Sequence, residues 1–529
     1  MNTIFLTCNK GYKWFNKANE IWAKGYVFSP DNQLFRGEDL LNYFAEATTF
    51  AEFQQRAGQA NGLFSAIVRR GQSVWAAIDA SRTFPLFYYH DNEKFLLTDT
   101  PDEMQKIGVP MELDGESEVL LRYSGFITGK KTLLKNLFQL IAGQSLCFEN
   151  NTLTTEFHTE FLTDTFFTET REELKIRLEK ILDHVGKRMI QVLNGRPAGI
   201  SLSGGFDSRL IAYLLKRNNY PNVFCYTYGK NNNIEVNNAR RTAENLGYPI
   251  YFIDYDTKTQ QSLAHNPLFR EYALYAGQYT MRFIEQDFSA LQDLLQANKI
   301  PENSVFISGN SGAVAGHLLS PVMKSPDYPF VEQSIYSIFG FVYPRRKDIQ
   351  LIRQNIQFLD VPHPRFPSYL VYENWRFQGT TAMAFNSSKI WDFFGFEYLF
   401  PLWDKELFDF FVQVPFQHKY DKNLYKETLT ELFQEYGIYF EDEELYPSNE
   451  LVKKVAFRTK LKKQFPFLKQ FINIWKNDIL GSKEYAEGFL QDLKTAKVRI
   501  KPLSFNGISS AWYILQVKQK LQKIHETNH

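Results

Sequence analysis

The run Ala198-Gly199-Ile200-Ser201-Leu202-Ser203-Gly204-Gly205-Phe206-Asp207-Ser208-Arg209-Leu210 limits the possible folds of this chain more than any other stretch. Its first half is short, apolar and partly β-branched, the pattern of a buried strand. Its second half turns polar and glycine-rich, then opens into Leu210–Leu215 with helical spacing. A Ser-Gly-Gly-x-Asp-Ser run thus sits on a strand-to-helix turn, where α/β sheets place phosphates. The glycines let backbone N–H groups approach an anion, and the helix N-terminus adds partial positive charge. Ser203 and Ser208 add hydroxyl donors. A carboxylate beside a polyphosphate makes sense when Mg²⁺ bridges the two, which makes Asp207 the candidate metal ligand. No lysine follows the glycines, so this is not the G-x-x-x-x-G-K-[ST] loop. The alternative is a glycine turn capped by Asp207 at a helix start. The whole pattern in strand-to-helix context favours the phosphate loop.

At 529 residues the chain is too long for one core, so two or more domains are expected. A net charge of +1 gives no electrostatic case for nucleic acid or an anionic membrane. Cys8, Cys147 and Cys225 lie far apart, with neither zinc spacing nor a disulfide framework, which fits a reducing cytoplasm. No apolar run reaches the roughly 18 residues of a membrane span. Met1–Cys8 lacks a basic n-region and a full h-region, and reads instead as a first strand with Cys8 as a small buried apolar residue.

Up to about residue 160, short alternating runs separated by turns predict strands, such as 62–68, 73–79 and 94–99, with Arg69-Arg70-Gly71-Gln72 as a hairpin turn. Helical patterns fall near Glu38–Phe44 and Glu116–Tyr123. A hinge rich in Thr, Asn and acidic residues is expected at Glu149–Thr168. Thr170-x-x-Glu173 then forms a capping box opening an amphipathic helix with Leu174, Leu178, Ile181, Leu182, Val185 and Met189 on one face. Past the loop helix, 222–229 reads as a strand, Glu235–Leu246 as a helix ended by Gly247, and 249–254 as another strand. That alternation is a doubly wound parallel sheet, with ligands at the carboxyl ends of its strands. Ser304–Gly316 reads as a further strand ending in a glycine-rich turn, Ser308-Gly309-Asn310-Ser311-Gly312.

The loop resembles the pyrophosphate-binding loop of the ATP pyrophosphatase superfamily. Gly62-x-Phe64-Ser65-Ala66-Ile67 and Ala77-Ile78-Asp79-Ala80-Ser81-Arg82 resemble the class II glutamine amidotransferase domain of asparagine synthetases, and Glu397–Asp404 resembles a later segment of that family. The resemblance implies an α/β chain with an N-terminal Ntn-hydrolase-like αββα sandwich over residues 1–160. A doubly wound ATP pyrophosphatase domain with added helices would follow over 165–529. It also implies ATP and Mg²⁺ as cofactors, with Ser203, Gly204, Gly205, Asp207 and Ser208 on the phosphates. Thr227, Tyr228 and Gly229 would lie against adenine, with plain sheet core as their alternative, and Ser308 and Gly309 would touch ATP. Lys454, in Lys453-Lys454-Val455-Ala456-Phe457, would face pyrophosphate, its alternative being a solvated basic face. Asp207 and Lys454 are the catalytic candidates.

Two departures from the family pattern stand out. The family's glutaminase uses a cysteine exposed as a new amino terminus, but position 2 here is Asn2, whose amide is no nucleophile. No glutaminase activity is expected. Ala313 stands where the family carries a second metal aspartate, leaving Asp207, with Asp404 as another acid to consider against its simpler reading as a helix N-cap. His317, with no second His or Cys at ligand spacing, reads as structural. The resemblance then implies an ATP-dependent, AMP-forming amide ligase that joins a small-molecule carboxylate to ammonia or an amine. The alternative is a nucleotide-binding pseudoenzyme or scaffold.

Overall fold

The computed structural model describes residues 2–91, 93–231, 233–255, 263–310, 315–316, 319, 340–355, 365–379, 385–440 and 482–527. Its first eleven strands are β1 (Asn2–Phe5), β2 (Phe15–Lys17), β3 (Ile21–Phe28), β4 (Leu34–Arg36), β5 (Asn61–Arg70), β6 (Ser73–Ile78), β7 (Phe87–His90), β8 (Phe95–Thr98), β9 (Phe138–Gln139), β10 (Gln144–Glu149) and β11 (Thr152–Phe157). They form a sheet of order β1-β8-β7-β9 and a larger one of order β11-β10-β6-β5-β3-β2, with β4 beside β3. Alternation along each strand sends successive side chains to opposite faces. Ile67, Ala76 and Ile78 therefore meet Leu86, Tyr88 and Leu97 between the sheets. Ala66, Val68 and Trp75 point the other way, onto α1 (Glu38–Ala45) and α2 (Phe50–Gln59). Beyond the smaller sheet, Phe87 and Leu96 share a core with Met104 and with Leu121 of α3 (Gly115–Ser124). The result is an αββα sandwich.

Two expectations need correction here. The expected hinge at 149–168 contains β11, an edge strand paired with β10 from Gln144↔Phe157 to Glu149↔Thr152. Its polar residues alternate on a face open to solvent, so the composition resembles a linker although the backbone is in a ladder. Cys8 lies outside β1, which ends at Phe5. It is half-buried in the following loop, with its N–H donated to Asp99 Oδ2 (2.9 Å) and its Sγ 3.4 Å from the Tyr275 hydroxyl.

Helix α4 (Arg171–Leu193) opens with the capping box, Thr170 and Glu173 each satisfying the other's backbone N–H, and buries all six residues of the expected face. It leads into a five-stranded sheet: β12 (Ala198–Ser201), β13 (Val223–Gly229), β14 (Ile250–Asp254), β15 (Val305–Ile307) and β16 (Glu397–Leu399). All pairings are parallel, in the order β14-β13-β12-β15-β16. Helices α5 (Phe206–Arg217) and α6 (Ile234–Leu246) pack on one face. The opposite face carries Phe224, Tyr226 and Phe306, where Trp391 stacks on Phe306 at 5.3 Å. The chain runs outward from β12 to β14 and then returns to the other side of β12. The sheet order therefore reverses between β12 and β15, and a crevice opens at their carboxyl ends.

Candidate functional site

The crevice is framed by glycines where other atoms come too close for a side chain. A Cβ on Gly199 would lie 2.7 Å from Phe224 Cζ, so this glycine lets two aromatic neighbours close over β12. A Cβ on Gly204 would sit 2.8 Å from Glu235 Cα, so the loop abuts the start of α6. A Cβ on Gly309 would sit 2.7 Å from the backbone N of Ser208 and 3.1 Å from the carbonyl carbon of Asp207. The turn after β15 thus lies directly on the first turn of α5. Gly205, the N-cap of α5, has no side chain with which to cap that helix start.

The loop is braced internally. Ser203 N donates to Ser208 Oγ (3.1 Å), the two hydroxyls are 3.0 Å apart, and Gly205 N donates to Ser203 Oγ (3.2 Å). Arg209, fully buried, donates to the carbonyls of Gly204 (2.5 Å) and Ile438 (2.9 Å) and lies among the rings of Phe206, Phe433 and Phe440. It ties the back of the loop to α11 (Asn423–Gln434) and the residues after it. Between α6 and α11 the chain passes through α7 (Pro267–Gly277), α8 (Phe288–Gln296), α9 (Ser368–Gln378) and α10 (Lys405–Gln413).

The carboxylate of Asp207 accepts from Tyr425 Oη on Oδ1 (2.8 Å) and pairs with Lys422 Nζ at 3.1 Å. Burial, then the charge of Asp207, pushes the Tyr425 phenol far up, so it stays a proton donor. Lys422 has φ +58 and follows Asp421 at φ +55, a left-handed pair of residues that turns the chain back toward the loop. At the end of β13, Thr227 is buried. The half-buried Tyr228 stacks on Tyr255 (5.0 Å) and donates to Asp287 Oδ2 (3.0 Å). Asp287 Oδ1 also accepts from Ser201 (2.9 Å) and Tyr226 (2.8 Å). Burial raises the Asp287 carboxyl despite these three hydroxyls.

Residues 179–271, from within α4 through the loop and into α7, match the family model described as asparagine synthase. No curated protein matches the sequence. Among solved structures, an NH3-dependent NAD synthetase from Campylobacter jejuni is 16% identical with a TM-score of 0.21, over 40% of this chain and 94% of that one. A glutamine phosphoribosylpyrophosphate amidotransferase from B. subtilis, complexed with ADP and GMP, is 8% identical with a TM-score of 0.19, over 46% of this chain and 73% of that one.

Within the matched segment and the turn after β15, the structure brings together Ser203, Gly204, Gly205, Asp207, Ser208, Ser308 and Gly309. Thr227, Tyr228 and Gly229 stand at the end of the neighbouring strand, where Leu202 N still pairs with Tyr226 O (2.8 Å). Asn310 reaches the Ser387 hydroxyl (2.9 Å), joining the glycine turn to the Asn386-Ser387-Ser388 stretch. Lys454, Ala313 and His317 lie outside the described residues. Asp404 is away from the loop: it caps α10 through Glu406 N (3.0 Å) and holds Arg188 at 2.7 and 2.8 Å. Its N-cap reading stands, and it is no partner for a metal at Asp207. Among the described residues no group of three His, Cys, Asp or Glu forms a metal cage. Asp207 alone fits the one-carboxylate mode in which Mg²⁺ arrives with substrate phosphates. Sequence reasoning missed Lys422, Tyr425 and Arg209. Arg209 directly follows the motif and was readable as part of it; Lys422 and Tyr425 reach the loop only through the packing of α11 on α5.

Proposed function

We propose that this chain is an ATP-dependent amide ligase of the asparagine synthase type. The observation that supports it best is Gly309 seated on the Asp207–Ser208 backbone, which sets two glycine turns around one helix start at a switch point of a parallel sheet. In this reading the β and γ phosphates lie on the amides of Gly204 and α5, and Gly205 N and the Ser203 and Ser208 hydroxyls exchange their bonds within the loop for bonds to phosphate. Mg²⁺, held by Asp207 and the phosphates, would neutralise charge on the leaving group. Tyr228 and Thr227 line the nucleotide's base side. A carboxylate oxygen of the substrate attacks the α-phosphorus and the bond to pyrophosphate breaks. An amine or ammonia then attacks the acyl carbon, the bond to AMP breaks, and a proton leaves the nitrogen. Fixed amides aimed at the departing oxygens lower the barrier because they need no reorganisation. Lys422 starts on Asp207, so nucleotide and metal compete with it for that carboxylate and free its ammonium to meet pyrophosphate; Lys454 is the family-derived candidate for the same task.

The two units we propose, residues 1–160 and 165–529, divide the work. With Asn2 in place of a nucleophile, the first supports the second, and the nitrogen comes from free ammonia or an amine. Calorimetric titration of ATP with and without Mg²⁺ tests the loop, followed by pyrophosphate release with a panel of small carboxylates. Mg²⁺-dependent binding that Asp207→Asn and Ser203→Ala both weaken is the expected result. No binding at millimolar ATP overturns the ligase. Binding without pyrophosphate release on any carboxylate supports the nucleotide-binding scaffold instead.

A further inference from the structure

A second concavity, of about 1120 Å³, lies away from the loop, between α3, the segment 342–352 and the stretch from the end of α12 (Ser482–Thr495) to residue 501. It exceeds the roughly 300–1,000 Å³ of a small-molecule site. Two extended segments form its wall, with Tyr343 N donating to Lys501 O (2.9 Å) and Leu503 N to Phe341 O (2.8 Å). Its floor is aliphatic, from Val119, Val342 and Ile352. Five large hydrophobic side chains are exposed among the described residues, and two of them, Leu490 (38%) and Val498 (37%), are in this groove. The other three, Phe15, Ile176 and Ile234, line no part of it, whereas these two share it with the aliphatic floor.

Apart from Asp348, the charged groups of the rim are cationic. Lys494, Lys497, Arg499 and Lys501 are exposed and make no ion pair or side-chain hydrogen bond among the described residues. The nearby anions are already engaged: Asp348 with Arg345 (2.5 Å), and Glu118 with Arg122 (2.7 Å) and Lys518 (2.9 Å). In a chain of net charge +1, this concentration of unpaired cations around an apolar floor is a local feature rather than an overall bias.

We propose that this groove docks an acidic polypeptide segment that carries aliphatic side chains. Its carboxylates would meet the 494–501 rim, and its apolar side chains would cover Leu490 and Val498. A plain polyanion such as nucleic acid satisfies the rim and leaves the floor uncovered.

The test is fluorescence anisotropy on the full chain with a short labelled peptide of alternating glutamate and leucine. A glutamate–serine peptide and a single-stranded oligonucleotide serve as comparisons. The glutamate–leucine peptide is expected to bind with micromolar affinity. Affinity should drop roughly tenfold or more at high salt and in Lys497→Glu/Arg499→Glu, and similarly at fixed salt in Val498→Asp. These residues are exposed, so unchanged melting temperatures would separate lost binding from lost folding. No binding at about 100 μM peptide overturns the proposal. Equal or tighter binding of the glutamate–serine peptide or the oligonucleotide also overturns it, because the floor would then contribute nothing.

Discussion

Gly309 has no room for a Cβ, because the atom it would meet is the backbone N of Ser208, 2.7 Å away, and helix backbone cannot swing aside as a side chain can. Gly309→Ala should push the glycine turn off α5 and lose most ATP affinity, at a stability cost of about 1–3 kcal/mol. Calorimetric titration beside urea melts separates the two effects. Lys422 gives a distinguishable outcome. Lys422→Ala should leave folding nearly intact and tighten or preserve Mg²⁺–ATP binding, because the cation that occupies Asp207 is gone, while slowing pyrophosphate release. A binding titration and a release assay on the same protein read the two directions. Glu373 and Lys419 form an ion pair at 2.6 Å with both side chains fully buried. Burial raises the carboxyl and lowers the ammonium, each against the partner's pull. Lys419→Met should cost about 3–5 kcal/mol by stranding a buried carboxylate, and Lys419→Met/Glu373→Leu should recover most of it. Urea melts of the two variants and wild type check this.

At the level of elements, α4 shows how far local chemistry reaches. The capping box and the apolar stripe were legible because both are matters of spacing within one helix. Thr170→Ala should cost about 1 kcal/mol, measured by urea melt. The β10–β11 hairpin shows the opposite case, since an edge strand with a solvated face has the composition of a linker. That hairpin ends at His158, whose Nδ1 is 2.9 Å from Ser145 Oγ and whose pKa burial lowers to about 3. Below the ordinary value near 6.5, the unfolded chain takes up a proton that the folded chain refuses. Stability is therefore expected to fall as pH drops from about 6.5 toward 3, by up to about 3 kcal/mol at pH 4 from this residue. Urea melts across that range should show a shallower slope in His158→Gln.

Across the whole molecule, the sandwich and the parallel sheet share one apolar core, with Tyr26 and Leu63 in the same cluster as Val185 and Met189, and a polar seam runs beside it. Arg188 on α4 grips Asp404 with two bonds and reaches Asn32 (3.0 Å) and Glu406 (2.8 Å). Asn61 on β5 donates to Asp404 (3.0 Å) and accepts from Lys405 N (2.9 Å). Lys389 reaches the carbonyl of Thr83 at 2.9 Å, and Tyr12 that of Tyr398 at 3.0 Å. Arg188→Ala leaves a buried carboxylate at this seam, and urea unfolding should weaken by about 3 kcal/mol and broaden as the two parts uncouple. Comparing fluorescence and circular dichroism transitions would show the uncoupling.

The sequence by itself determined the glycine-rich turn from Ser203 to Ser208, its strand-to-helix setting and the αβ alternation around it. Each of these follows from residue type and short-range spacing, which fix backbone freedom, hydrogen-bonding groups and which face is apolar. Only the tertiary structure decided that Lys422 and Tyr425 hold Asp207, that Asp404 belongs to the seam, and that Leu490 and Val498 share an open groove with unpaired cations. The first two join residues more than two hundred positions apart, and the groove sets the 490–501 stretch beside Val119 and Val342. They form because the sheet reverses at β12, and burial of the helices on both faces brings distant side chains into one place.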